Sequence, residues 1–363
     1  MARFRTAPAK IFPGDGVGGA RGSPGAADAG WGKLDGNATG GTGMAPTIGE
    51  LAVGVDRLGT HVGGAMPIAD DTAVIPHTVR LLSGKPLAEK VFAEVADRVS
   101  RLRRAGVVPA LATVLVGDDD ASAGYIRIKQ RQAAELDFES PHTHLPADAT
   151  QEDLHRVIAG YNADPGVHGL LVQYPVPAHL DYDRALQSVD PDKDVDGMHP
   201  LNIGRLALGL PGPLPCTPAG IEALLAHYDI PVAGREVVIL GRGATLGRPL
   251  SIMLAQKRPT ANAAVTVVHT GVPDWDRYTR RADILVAAAG VPGIIQPEHV
   301  KPGAVVIGAG VRYEGRRLLP DVDESCAEVA SAITPRVGGV GPTTVAMLFR
   351  NAVDAAERLS GRA

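Results

Sequence analysis

The spacing of apolar positions predicts a regular alternation of helices and strands from about residue 80 onward. Residues 83–106 are predicted to form a helix, because apolar side chains recur on one helical face and Gly106 ends the pattern. The apolar positions of this face are Leu87, Val91, Val95 and Val99. Residues 108–117 form a near-continuous apolar run, which is typical of a strand buried on both faces of a parallel sheet. A helix that contains Tyr125 is predicted next.

The same alternation continues to the end of the chain. Thr150 is a good N-cap for a predicted helix that has acidic residues in its first turn. Further helices are predicted at 150–164, 218–228 and 343–359, strands at 167–177, 263–271, 282–290 and 303–310, and a strand, glycine turn and helix at 235–256. This β-α-β repetition predicts a parallel sheet covered by helices, which is an α/β fold.

Residues 1–79 have a different composition. They hold 17 of the 44 glycines and show no sustained helical or strand period. Such a composition buries too little apolar surface to offset chain entropy, so we predict a largely disordered extension. Its basic start resembles a transit peptide weakly, and a dispensable extension or an upstream start codon is the favoured interpretation.

Charge and cysteine content exclude several functions. A net charge of -4 favours neither nucleic acid nor an anionic membrane as a partner, and no apolar run is long enough to span a membrane. Cys216 and Cys326 do not make a disulfide framework in a chain of 363 residues, so a reducing cytoplasm is the simpler expectation. Neither the cysteines nor the 11 histidines show the spacing of a metal site, so no metal is predicted.

A glycine turn between a strand and a helix predicts a dinucleotide site. The stretch GRGATLG, residues 241–247, has the G-x-G-x-x-x-G spacing, one residue longer than the usual fingerprint. Glycine lets the backbone approach a pyrophosphate, and the following helix N-terminus favours negative charge. The next strand ends in Thr270 without the carboxylate typical of NAD sites, and Arg242 stands in the turn. The sequence therefore favours NADP, with NAD possible; Arg248 is a second basic candidate, or else a solvated helix residue.

A second group of polar residues precedes this turn. Tyr125 and Lys129 lie four residues apart, on one helical face, and are either a proton-transfer pair or two solvated side chains. Gln173 ends a predicted strand, where parallel sheets place ligands, although it could equally cap a loop. Asp194 and Asp196 precede Gly197 without the downstream glutamate of a calcium loop. Short-chain dehydrogenases share the Tyr/Lys spacing, but there the glycine turn comes first.

The chain resembles the bifunctional methylenetetrahydrofolate dehydrogenase/cyclohydrolase family. The matching segments occur in the family's order, from about residue 80 to residue 358. They are VGDDDASAGYIRIKQ, GLLVQYPVP, DKDVDGMHPLNIGRL, PCTPAGI, VAGREVVILGRGATLGRPL, AAAGVPGII, VKPGAVVIGAGV and GGVGPTTVAML. The resemblance implies a folate-binding catalytic domain at 80–214, completed by a returning C-terminal helix at 341–360, a Rossmann-like domain at 215–340, and a cleft between them.

The resemblance also implies roles for individual residues. Lys129 would be the main catalytic group of the cyclohydrolase step, Tyr125 would orient it, and Gln173 would hydrogen-bond it. The residues expected to bind substrate are Tyr125, Val172, Pro175, Asp196, Gly338, Gly339 and Pro342. The residues expected to bind cofactor are Gly241, Arg242, Gly243, Thr245, Gly247, Thr270, Ala289 and Gly290. The implied substrates are tetrahydrofolates, and the implied setting is a cytoplasmic homodimer in one-carbon metabolism that serves purine biosynthesis.

The sequence departs from the family pattern at several positions. The family commonly has other residues at Gly243, Leu246, Gly308, Ala309, Val337 and Thr343. Because Gly243 lacks a hydroxyl near the nucleotide, the departures leave the cofactor preference open. Two other functions remain possible on the sequence: a dehydrogenase of another small molecule, and a paralogue that binds nucleotide or folate with one or both activities lost.

Overall fold

The computed structural model describes residues 79–314 and 317–361, so the predicted extension up to about residue 79 lies outside the described residues. The helices of this part are α1 (Lys85–Arg104), α2 (Asp120–Glu135), α3 (Gln151–Ala163), α4 (Tyr182–Ser188), α5 (Pro200–Leu208), α6 (Cys216–His227), α7 (Gly247–Ala255), α8 (Asp276–Thr279) and α9 (Val340–Leu359). The strands are β1 (Arg80–Leu81), β2 (Leu111–Val116), β3 (His142–Leu145), β4 (Gly169–Val172), β5 (Glu236–Leu240), β6 (Ala264–Val268), β7 (Ile284–Ala287), β8 (Val305–Gly308), β9 (Val311–Glu314), β10 (Arg317–Pro320) and β11 (Ala332–Ile333). Short 3-10 helices span Pro297–His299 and Glu324–Glu328.

Two parallel sheets organise the described chain. The larger sheet has the strand order β1-β11-β8-β7-β5-β6, and the smaller has the order β3-β2-β4. Strands β9 and β10 form a separate antiparallel hairpin. The prediction of an α/β fold with parallel sheets is therefore confirmed.

The core lies in three layers, set by the alternation of side chains along the strands. In β5, Val237 and Ile239 belong to the same core cluster as residues of α1, α6 and α9, whereas Val238 and Leu240 belong to a second cluster on the opposite face of the sheet. Ala112 and Val114 of β2 belong to a third cluster on the outer face of the smaller sheet. Because both faces of these strands are buried, their sequences read as continuous apolar runs.

The C-terminal helix α9 returns to the beginning of the described chain. Phe349 is fully buried between Phe92 and Phe138 with edge-to-face ring contacts at centroid distances of 6.3 and 5.4 Å. Arg98 of α1 binds the carboxylates of Asp354 and Glu357 on α9. These contacts join α9 to α1.

The structure also contains elements that the sequence did not predict. Strand β1 comes at the start of the described chain, yet it pairs with β11 at the edge of the larger sheet. Strands β1, β11 and β3, the hairpin β9–β10 and helices α4, α5 and α8 were all missed. Most of them have only two to seven residues, too few for a periodic pattern to stand out.

Candidate active site

Lys129 and Gln173 meet in the structure. The side-chain amine of Lys129, on α2, donates a hydrogen bond of 2.8 Å to Oε1 of Gln173, the residue after β4. The amide Nε2 of Gln173 donates to the carbonyl of Tyr174 at 2.7 Å, which fixes Oε1 toward the amine. Tyr125 lies one turn before Lys129 on α2 with 42% of its surface exposed. Asp119 caps the start of α2 by accepting from the backbone N–H of Ser122 at 2.7 Å.

Asp194 and Asp196 have different environments. Asp194 is buried, and its carboxylate accepts hydrogen bonds from the N–H groups of Gly197 and His199 and from the side-chain amide of Asn202, at 2.7–3.0 Å. Asp194 therefore holds the loop together. Asp196 instead lines a cleft that it shares with Lys129. The structure thus separates a loop-stabilising carboxylate from one that a ligand can reach.

The surroundings of the cleft shift the pKa values of both charged groups. Burial lowers the pKa of Lys129 below its ordinary value, although the neighbouring Asp196 carboxylate opposes this shift. Burial raises the pKa of Asp196, and the Lys129 ammonium opposes that shift in turn. A lysine with a lowered pKa spends more time as a neutral amine, which is the form that accepts a proton.

The cleft joins the two parts of the molecule that the sequence assigned to different ligands. Its volume is about 760 Å³, which is ample for a fused-ring substrate. Lys129, Gln173 and Asp196 line one side, and Thr245 and Arg248 from the glycine turn and α7 line the other. Val172 also lines the cleft, whereas the remaining predicted substrate and cofactor residues do not.

Two tyrosines in this cleft were not predicted. Tyr174 and Tyr182 make an edge-to-face contact with ring centroids 5.1 Å apart, and both line the cleft. Burial and the nearby Asp196 carboxylate raise the pKa of Tyr182, so its hydroxyl stays protonated. Tyr174 lies within the quoted segment GLLVQYPVP but was given no role, and α4, which carries Tyr182, is only seven residues long and has no marked pattern.

Cys216 is near Asp196 and Lys129, in surroundings that disfavour a nucleophilic role. It is buried, and its thiol donates to the carbonyl of Val195 at 3.2 Å. Burial and the nearby Asp196 raise its pKa well above the ordinary value, which disfavours the reactive thiolate. In the described part of the chain, no three or more histidine, cysteine or acidic side chains are grouped so that they could hold a metal ion.

The glycine turn has the geometry that a pyrophosphate requires. Gly241 has a φ of +134°, and a Cβ atom there would lie 2.1 Å from the carbonyl oxygen of Ala288. A Cβ atom on Gly247 would likewise lie 2.1 Å from the carbonyl oxygen of Gly241. No side chain caps the start of α7, although the N–H of Arg248 donates to the carbonyl of Gly243 at 3.1 Å and Pro249 has no N–H. Arg242, Gly243 and Thr245 are exposed along the turn, and these residues therefore fit a dinucleotide.

The other predicted cofactor residues lie at the carboxyl ends of the neighbouring strands. Thr270 is exposed just beyond β6, and Ala289 and Gly290 follow β7. Because β6 and β7 flank β5 in the larger sheet, these loops lie on either side of the glycine turn. This is the edge at which open α/β sheets bind nucleotides.

The predicted glycine loop before α9 packs against the start of α1. The carbonyl of Gly338 accepts from the N–H of Gly84 at 2.8 Å, and Gly339 lies too close to Pro335 to carry a side chain. Pro342 lies in the first turn of α9. Pro175 follows Tyr174 through a cis peptide bond and is exposed. The cleft around Lys129 is lined neither by Pro175 nor by Gly338, Gly339 and Pro342.

Comparisons with known proteins match the chain to one family. Residues 82–196 match the family described as tetrahydrofolate dehydrogenase/cyclohydrolase, catalytic domain. Residues 215–360 match its NAD(P)-binding domain. The bifunctional protein FolD 1 of Salinispora tropica is 76% identical over 279 residues, which are 77% of this chain and 91% of that protein.

Solved structures agree with this result. The bifunctional FolD enzyme of Campylobacter jejuni superposes with a TM-score of 0.74 at 40% identity and covers 77% of this chain and 99% of its own. The methylenetetrahydrofolate dehydrogenase-cyclohydrolase of Trypanosoma brucei, solved with NADP and an inhibitor, superposes with a TM-score of 0.74 at 36% identity. It covers 78% of this chain and 99% of its own.

Proposed function

Because the chain belongs to the tetrahydrofolate dehydrogenase/cyclohydrolase family, we propose that it carries out both of the family's reactions. In the first, 5,10-methylenetetrahydrofolate loses a hydride to NADP and becomes 5,10-methenyltetrahydrofolate. In the second, water adds to the methenyl carbon, the ring opens to 10-formyltetrahydrofolate, and a proton is released. The observation that carries the proposal is the Lys129–Gln173 hydrogen bond of 2.8 Å in a cleft shared with Asp196 and the glycine turn.

Lys129 is the proposed proton acceptor for the hydrolytic step. Its amine faces the cleft, and Gln173 holds it through a carbonyl oxygen that cannot itself accept a proton at neutral pH. Since burial lowers the pKa of Lys129, the neutral amine is available to take a proton from the attacking water. Tyr125, one turn away on the same helix, is proposed to orient the lysine and to stack near the substrate.

Asp196 is the proposed anchor for the substrate ring. A carboxylate can accept two N–H bonds from an amino-pyrimidinone edge, and Asp196 lines the cleft without the loop bonds that occupy Asp194. Val172 gives an apolar contact in the same cleft. We also propose that the substrate contacts four residues outside this cleft, which are Pro175, Gly338, Gly339 and Pro342.

The glycine turn is the proposed site of NADP. The cofactor supplies the hydride acceptor, while the chain itself binds and aligns it. Gly241, Gly243, Thr245 and Gly247 would receive the pyrophosphate at the start of α7, and the exposed Arg242 would pair with the 2′-phosphate. Thr270, Ala289 and Gly290 are proposed to contact the rest of the cofactor. The dehydrogenase step then depends mainly on alignment of donor and acceptor carbons.

The oligomeric state and the cellular location are also proposals. We propose a homodimer formed through the NAD(P)-binding domain, supported by the edge strand β6, which pairs on one side only among the described strands and exposes 38% of Val267. A cytoplasmic role, with 10-formyltetrahydrofolate serving purine biosynthesis, is supported by two cysteines that are both free and buried. No helix in the described part of the chain is long and apolar enough to cross a membrane.

A paired assay tests the proposal. The purified protein is given methylenetetrahydrofolate with NADP or with NAD, and separately methenyltetrahydrofolate without cofactor. We expect turnover in both reactions and faster reduction of NADP than of NAD. Hydride transfer with another substrate but not with folate would contradict the proposal, and so would ligand binding without turnover in either reaction.

A further inference from the structure

Asp321 contacts the segments that follow β7 and β8 of the larger sheet. It follows the hairpin strand β10 and is fully buried. Its Oδ2 atom accepts hydrogen bonds from the backbone N–H of Ala289 at 2.7 Å and of Gly290 at 2.9 Å. The nearby backbone N–H of Val291 also lowers the pKa of this carboxyl. Two consecutive amides therefore converge on one carboxylate oxygen, as they do in backbone sites for anions.

The carboxylate of Asp321 is held in place from two other segments. Its backbone N–H donates to the carbonyl of Gly310 at 3.0 Å, and its own carbonyl accepts from the N–H of Ile295 at 2.9 Å. A Cβ atom on Gly310 would lie 1.9 Å from Oδ2 of Asp321. Because any larger residue at position 310 would displace the carboxylate, the glycine there is a requirement of this contact.

The loop held by Asp321 borders the glycine turn. A Cβ atom on Gly241 would lie 2.1 Å from the carbonyl oxygen of Ala288 and 3.1 Å from the N–H nitrogen of Ala289, so the turn and the loop are in direct contact. The loop extends from the end of β7, beside β5, and Gly290 is exposed on it. A dinucleotide with its pyrophosphate on the turn must pass this loop.

The environment of Asp321 is unfavourable for the stability of the fold. Its second oxygen, Oδ1, is buried without a hydrogen-bond partner in the part of the chain that the structure describes. Burial raises the pKa of this carboxyl, and the amides of the loop oppose the shift. An unpaired buried oxygen costs free energy of folding, whereas the hydrogen bonds of the other oxygen fix the backbone of the loop.

We propose that Asp321 is a positioning residue for the cofactor: it fixes the backbone of residues 289 and 290 beside the glycine turn, so that the bound dinucleotide meets a rigid wall beyond its pyrophosphate. The proposal rests on the NADP-dependent function proposed above. Asp321 would act through the loop, so no contact between Asp321 and the cofactor is required.

Substitution of Asp321 tests the proposal by two readouts. In Asp321→Ala, we expect the Kd for NADPH, measured by fluorescence titration, to rise by at least about tenfold, the size expected for loss of hydrogen bonds to a charged group. Amide hydrogen exchange across residues 288–292 should accelerate without any cofactor present. Cyclohydrolase activity, which needs no nicotinamide, should change by less than about twofold, because the cleft around Lys129 is not lined by Asp321.

Two further variants separate positioning from general damage. Asp321→Asn keeps an acceptor oxygen for the loop amides, so its Kd for NADPH should stay within about threefold of the parent value. Gly310→Ala keeps the carboxylate of Asp321 but displaces it from the loop. It should therefore reproduce the weaker NADPH binding of Asp321→Ala. If the Asp321→Ala protein does not fold, Gly310→Ala takes its place in the test. Asp323→Ala is the matched control, because Asp323 caps the next 3-10 helix through Ser325, two residues further along the chain.

The outcomes distinguish this proposal from the proposed function. If the parent protein neither binds NADPH nor reduces NADP, the function fails before Asp321 is tested. If the parent is active and the Asp321→Ala or Gly310→Ala protein binds NADPH normally, the positioning role is wrong. Equal losses of cyclohydrolase activity and NADPH binding, or an Asn variant as weak as the Ala variant, would also overturn it.

Discussion

Lys129 and Lys193 are both withdrawn from solvent, and their hydrogen bonds differ in kind. The ammonium of Lys193 donates to the backbone carbonyls of Tyr161, Asn162 and Asp164 at 2.7–3.0 Å, so it is saturated by the backbone. Lys129 donates to the side chain of Gln173 and faces a cleft. Burial lowers the pKa of both lysines. Only Lys129, with donor capacity left over and open space before it, has a geometry suited to proton transfer.

Substitution of Lys129 should separate the two proposed activities. We expect Lys129→Met to lower the cyclohydrolase rate by at least about 100-fold, the usual contribution of a positioned acid or base. NADPH binding should change little, because the glycine turn does not involve this residue. The control is Arg131→Met, an exposed position on the same helix. Full cyclohydrolase activity in the Met variant would remove Lys129 from the mechanism.

The pH dependence of hydrolysis should report the same lysine. Because burial lowers the pKa of Lys129, and the neutral amine is the proposed active form, the enzymatic rate should rise with pH and level off below the ordinary lysine value of 10.5. The rate in buffer alone is subtracted at each pH. The profile of Lys129→Arg should lack this rise, since arginine keeps its charge throughout. A rise that continues beyond pH 10.5 in the parent enzyme would contradict a lowered pKa.

At the scale of elements, the turn between β5 and α7 depends on glycines that admit no side chain. The close approach of Gly241 to Ala288 and of Gly247 to Gly241 leaves no space for a Cβ atom. Gly243, where the family commonly has another residue, has open space around the position of a Cβ atom. The departure at Gly243 therefore does not alter the packing of the turn.

Arg242 should decide between the two cofactors. We expect Arg242→Ala to weaken NADP binding by about 10- to 100-fold, as for loss of a charge-assisted hydrogen bond, and to leave NAD binding nearly unchanged. Kd values for both nucleotides measure this directly. Arg235→Ala removes another exposed charge, at the opposite end of β5, and is the control. Equal losses for NADP and NAD would argue against contact with the 2′-phosphate.

The departure at Thr343 is accommodated by close packing of two helices. Thr343 of α9 is fully buried, and its hydroxyl donates to the carbonyl of Val340 at 2.7 Å. A Cβ atom on Gly220 of α6 would lie 2.4 Å from that hydroxyl oxygen. The two helices therefore approach closely at this point, and the polar atom is satisfied within its own helix turn.

At the scale of the whole molecule, the first described residues form an edge strand of the larger sheet. Strand β1 pairs with β11, and Leu82 directly after it is fully buried in the central core. A few residues at the start of the described chain therefore link α1 to the sheet that carries the glycine turn.

Two truncations test where the functional protein begins. A protein that starts at Ala73 should keep both activities and the parent melting temperature. One that starts at Gly84 loses β1 and Leu82, and should be destabilised by at least about 2 kcal/mol, as for removal of a buried leucine side chain. Thermal unfolding and both assays give the comparison. Loss of folding in the longer protein would show that the extension is structural.

Sequence periodicity was sufficient where it extended over several turns or a whole buried strand. Helix α1 was predicted at 83–106 and spans Lys85–Arg104, and α3 was predicted at 150–164 and spans Gln151–Ala163 with Thr150 as its cap. The family assignment is confirmed, as eight ordered motifs already indicated. The proposed roles of the site residues stay predictions.

The sequence by itself determined the α/β class, the long elements, the glycine turn and the family, because each is encoded in neighbouring residues. Contacts between distant residues are not encoded in local patterns. The family resemblance implied the contact of Lys129 with Gln173, 44 residues away, whereas only the tertiary structure showed that Ala289 meets Asp321, 32 residues away. The same holds for β1 with β11 and for the tyrosines beside Asp196. Such contacts depend on how the elements pack, and packing is a property of the whole chain.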